Sequence, residues 1–183
     1  VSEAIFYVVC GSFAWRFFRR TGHTVFKPLQ PHDIRVIAIA VGALILIRIA
    51  VIVQLVATHQ TKHVQAGFEH YNVITKQPTV TALTITLAVV TLVIIGPIVE
   101  ELVFRGLLFG SLAPRIGTLA SAIATAVLFG IAHGDPILFP SLAALGLVSA
   151  LAYAATNNLT VPITLHAASN ALGAFVLITS SLN

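Results

Sequence analysis

Nine residues, IVEELVFRG, set Glu100 and Glu101 side by side, with Arg105 four positions on, inside an otherwise apolar stretch. Further along, LFGIAHG carries Phe129 and His133, and LHAASNALG carries His166 and Asn170. Each of these pairs is spaced i,i+4, so its members share one helix face. Glu101 and Arg105 stand in the favourable order, with the acid N-terminal, and the spacing predicts a structural ion pair that neutralises one carboxylate. Glu100 points about 100° away from that pair. A carboxylate inside a membrane marks a functional site by default. Held away from bulk water, it can take a proton from a water molecule, while an imidazole holds that water or donates to a leaving amine. His and Asn side chains can stabilise an oxyanion. Glu100, His133, His166 and Asn170 together contain the parts needed to hydrolyse an amide without a covalent intermediate. The same Glu100, His133 and His166 could instead form a zinc set of two histidines and a carboxylate. No Gly-x-Ser-x-Gly elbow, HExxH pair or glycine-rich phosphate loop is present, so serine hydrolases, ordinary zincins and nucleotide-binding enzymes lack their motifs.

The elements that position these residues follow from composition. The chain is 57% hydrophobic and 9% charged, with a mean hydropathy of +0.98. A soluble domain carries about 25% charged residues, so the composition requires a membrane. Ten Lys and Arg residues in 183 are too few for a stripe of phosphate contacts, which excludes a nucleic-acid partner. The lone Cys10 excludes an internal disulfide. Val36 to Val56 holds one charge, Arg48, whereas Gln77–Val99 and Ile116–Ala132 hold none. From Pro136 the chain is again uncharged and too long for one span. It divides at TNNLTVP, where Asn157 and Asn158 suit a turn and Pro162 suits a first helical turn. The prediction is an all-α polytopic transmembrane bundle of five to six spans, one domain over 1–183, with the active site inside it. AIFYVVCGSFAW is the stub of a further span, and a chain that opens on Val1 without any methionine reads as a piece of a longer protein.

Lys and Arg set the orientation. Arg16, Arg19, Arg20, Lys27 and Arg35 place the segment before the first full span in the cytoplasm, and the loop from His59 to Lys76 falls outside. Arg48, in mid-span, reads as snorkelling or as facing a water-filled side. A hairpin with its turn between Pro114 and Gly117 returns His133 to the depth of Glu100, because the two arms measure about 21 and 24 Å of helix. The same arithmetic is poorer for His166.

Glu100-Glu101-x-x-x-Arg105, Phe129-x-x-x-His133 and His166-x-x-x-Asn170, in that order over 80–173, resemble the three-motif signature of the CPBP intramembrane proteases. That family includes the CAAX prenyl endopeptidases and the Abi-like bacteriocin-immunity proteins. The resemblance implies that Glu100 and His133 activate water and that His166 and Asn170 hold the oxyanion. It also implies that Glu101 and Arg105, with Phe129 beside them, brace the site. The expected activity is cleavage of a membrane-associated peptide, CAAX-like or of bacteriocin type, by a protein embedded among lipids in a bacterial cell membrane. A metal-free route is favoured over zinc. The rival readings are a proton-coupled transporter, for which Gly96-Pro97 supplies one helix break but no matching second half, and a silent immunity or scaffold protein of the same fold.

Overall fold

A computed structural model describes residues 8–12, 16, 26–58 and 82–181. All regular structure among them is helical, and the protein is an all-α membrane helix bundle. Residues 8–12, inside the expected N-terminal stub, are helical. The expected outer loop from His59 to Lys76 lies outside the described residues.

Helix α1 runs Pro31–Ala57. Pro31 opens it, where a missing N–H costs nothing, and the Gln30 N–H donates to Asp33 Oδ2 at 3.0 Å. On one side Ile39, Leu46 and Val53 recur every seven residues and are exposed, as a lipid-facing stripe requires. The second rod, α2, is built from consecutive segments without interruption: Ala82–Val90, a π turn Thr91–Ile95, Gly96–Glu101, a second π stretch Leu102–Phe109, and Gly110–Ile116. The break expected at Gly96-Pro97 is absent. The chain stays helical through the proline because the π turn before it shifts the hydrogen-bond register. Gly117, at φ +85°, turns the chain into α3, Thr118–Ala132. Gly134, at φ +68°, and Asp135, whose Oδ1 accepts from the N–H groups of Ile137 and Leu138, lead to α4, Phe139–Thr156. Asn157 closes α4 in the left-handed conformation, and α5, Thr160–Ser181, follows. The turn thus falls where the two asparagines predict it.

Pro31–Gln54, Thr86–Ile116 and Phe139–Thr156 are long and apolar enough to cross a membrane, and Thr118–Ala132 is a shorter apolar helix. One cluster ties four helices together: Leu44 of α1, Phe104 of α2, Phe129 of α3 and Leu145 of α4. Ala40, Ala152, Val161 and Leu165 bring α5 against α1 and α4. A polar clamp closes the far end. The Lys27 N–H donates to Asn158 Oδ1 at 3.2 Å, and Thr160 Oγ1 donates to the Lys27 carbonyl at 2.9 Å. Asn158 Nδ2 donates to the buried Asp33 Oδ2 at 3.0 Å.

Helices α3 and α4 pack closely at Gly146, where an added Cβ would meet the Ala126 Cα at 2.9 Å. That atom belongs to backbone and cannot swing aside. Gly146→Ala is therefore expected to destabilise the bundle by about 1–3 kcal/mol through overpacking, read as a lowered thermal midpoint in detergent. An unchanged midpoint would mean the two helices separate without cost.

Candidate active site

Helices α2, α3 and α5 bring Glu100, His133 and His166 together. Glu100 Oε2 lies 3.8 Å from His133 Nε2 and 3.8 Å from His166 Nε2. The second ring nitrogen of each histidine is engaged elsewhere. His133 Nδ1 is 2.7 Å from the Phe129 carbonyl oxygen, one turn back on its own helix. A carbonyl can only accept, so Nδ1 carries the proton. His166 Nδ1 lies 2.9 Å from Glu101 Oε1, and a carboxylate there selects the same tautomer. The Nε2 atoms of both rings then face one carboxylate oxygen.

The supporting residues form a second layer. Glu101 Oε2 pairs with Arg105 Nε at 3.0 Å, both side chains almost fully buried. Glu101 therefore spans two partners, holding Arg105 with one oxygen and orienting His166 with the other. Arg105 Nη2 donates to the Gly146 carbonyl at 2.8 Å, so the close approach of α4 also serves the ion pair. The Phe129 ring lies at the centre: its centroid is 4.7 Å from that of His133 and 5.5 Å from that of His166. The Arg105 guanidinium sits over it at 4.9 Å, and Phe104 meets it edge-on at 5.0 Å. The side chain of His166 is 2% exposed and that of His133 32%, so the site opens at the α3 end.

Asn170, expected beside His166 on an oxyanion, directs its amide to the Leu92 carbonyl at 2.9 Å. One of its two amide hydrogens is committed there. Arg48 Nη2 donates to Ser169 Oγ of α5. The His166–Glu101 and Arg105–Gly146 contacts had no signal in sequence spacing, because both join distant helices.

The donor types, one carboxylate and two imidazoles, suit zinc. Atoms bound to zinc at about 2.1 Å stand roughly 3.4 Å apart around a tetrahedron, and the Glu100–histidine separations are 3.8 Å. Among the described residues, no group of three or more His, Cys, Asp or Glu side chains could hold a metal ion.

Residues 82–172 match the family described as type II CAAX prenyl endopeptidase Rce1-like. The "Putative membrane peptidase YdiL" of Bacillus subtilis (strain 168) is 34% identical over 82 residues, covering 45% of this chain and 34% of the relative. The "Membrane-embedded CAAX protease MroQ" of Staphylococcus aureus (strain USA300) is 41% identical over 96 residues, covering 49% of this chain and 38% of the relative. The chain thus spans little more than a third of the length of these curated relatives. No solved structure matches it.

Proposed function

We propose that this chain, whose residues 82–172 match the Rce1-like family of type II CAAX prenyl endopeptidases, is an intramembrane endopeptidase that cleaves a membrane-associated peptide by activating water. The observation that carries this reading is the convergence of Glu100 Oε2 with the Nε2 atoms of His133 and His166, 3.8 Å from each. A water molecule set among them donates one hydrogen to the carboxylate and the other to an imidazole. Glu100 takes the first proton as the oxygen attacks the scissile carbonyl carbon. The tetrahedral intermediate places its oxyanion between the second amide hydrogen of Asn170 and His166 Nε2, which donates to it when the ring carries a hydrogen on both nitrogens, the other one held by Glu101. Glu100 then returns its proton to the amine as the C–N bond breaks. Atoms balance with water as the sole co-reactant. The similarity to a CAAX protease of Staphylococcus supports a peptide with a CAAX-like tail as substrate, and a bacteriocin-type peptide is the alternative.

The test is hydrolysis of a quenched fluorogenic CAAX-ended peptide by the full protein in lipid nanodiscs, with products identified by mass. A metal-free route predicts unchanged turnover after dialysis against phenanthroline. Loss of turnover that zinc alone restores would replace it with a metal mechanism. No cleavage of CAAX-ended or bacteriocin-type peptides would remove the peptidase reading.

A further inference from the structure

The π turn that carries α2 through Pro97 leaves one backbone group to be accounted for. In this turn the Gly96 N–H donates to the Thr91 carbonyl, five residues back. In the same register, the donor for the Leu92 carbonyl is residue 97. Residue 97 is proline and has no N–H. A carbonyl inside hydrocarbon must find a donor within the protein. The one it finds is the Asn170 amide, at 2.9 Å. Because a carbonyl only accepts, this contact also fixes which way the amide is turned.

We propose that Asn170, beside the oxyanion contact of its second amide hydrogen, also acts as a positioning residue, stapling α5 to the carbonyl that Pro97 orphans and thereby setting the height and rotation of Glu100. The geometry gives the staple leverage. The hydrogen bonds between α5 and α2 include His166 to Glu101 and, one turn further along α5, Asn170 to Leu92. On α2 the two anchor points lie nine residues apart, with Pro97 and Glu100 between them. Two anchors on either side of Glu100 resist both sliding and rotation, where a single one would leave α2 free to turn about it. Removing Asn170 frees one end, and the three-way spacing of Glu100, His133 and His166 loosens with it. The catalytic half of this inference rests on the peptidase reading, whereas the staple does not.

The experiment is a double-mutant cycle of Asn170→Ala and Pro97→Ala in the full protein, reading thermal midpoint, kcat and the pH dependence of kcat/KM on the fluorogenic peptide. Pro97→Ala supplies the missing N–H, so the Leu92 carbonyl no longer needs the asparagine. Asn170→Ala alone is expected to lower the midpoint and kcat and to displace the pH profile. In the Pro97→Ala background the same change is expected to cost about tenfold less in kcat, the scale of coupling between neighbouring groups, with the midpoint recovered and the profile restored. Additive effects on both midpoint and kcat would overturn the staple. A recovered midpoint with the same loss of kcat in both backgrounds and an unmoved pH profile would confine Asn170 to direct oxyanion donation, overturning its positioning role. The midpoint arm needs no substrate, so failure of the peptidase reading cannot be mistaken for failure of the staple.

Discussion

Glu100→Gln is expected to reduce peptide hydrolysis by about 10²–10⁴-fold, the usual worth of a general base, while leaving the protein folded and inserted. Glutamine keeps the length and planarity of the side chain but cannot take a proton from water. Its amide also replaces an acceptor oxygen with a donor, or swaps their order, at a point 3.8 Å from two imidazole nitrogens. A neutral amide there removes the cost of holding a charge away from water, so the variant is expected to melt no lower than the parent. The measurement pairs initial rates on the fluorogenic peptide with a thermal scan of the same preparation. Full activity in a correctly inserted variant would take Glu100 out of the mechanism and leave its two histidines without a chemical purpose.

The second large effect concerns stability. Arg105→Ala leaves Glu101, whose side chain is fully buried, with His166 as its remaining partner, and takes the donor away from the Gly146 carbonyl. Breaking a buried pair in this way costs about 3–5 kcal/mol. Glu101→Gln removes the charge but keeps an oxygen that can accept from His166. The double variant is therefore expected to be more stable than Arg105→Ala alone, because no lone charge remains in the core. Strictly additive losses in that cycle, measured by denaturant titration in mixed micelles, would show that the two residues do not act as a pair.

The Glu101–Arg105 pair could be read from sequence because its partners lie on one turn of one helix. Glu100 and His133 required only the addition of helical rise along two arms of a hairpin. His166 defeated that arithmetic because its depth depends on where the preceding turn sits, and side chains of Lys27 and Asp33, more than a hundred residues earlier, help to set that. Backbone register was harder still. Nothing in the periodicity of TLVIIGPIVEELVF distinguishes a π turn from an α turn, since both keep the chain helical and apolar. A clue was nevertheless present: Pro97 cannot donate, so a carbonyl a few residues earlier must look elsewhere. Asn170 was legible as a polar residue beside His166, but its acceptor is a main-chain oxygen, which carries no sequence signature. Arg48 shows the same limit, since the serine that receives it lies on another helix.

The clamp between the start of α1 and the α4–α5 turn sets a timetable for the chain's synthesis. Asp33 and Asn158 are 125 residues apart, and at about 5–20 residues per second the ribosome takes roughly 6–25 s to supply the second after the first. During that interval α1 can insert but cannot be locked at its head, and Glu100 already stands in the bilayer while His166 has yet to be made. A nascent chain therefore carries its carboxylate through the membrane before it carries a hydrolytic centre. The emergence of Asn158 and, eight residues later, His166 brings closure of the scaffold and completion of the chemistry within about two seconds of each other at those rates.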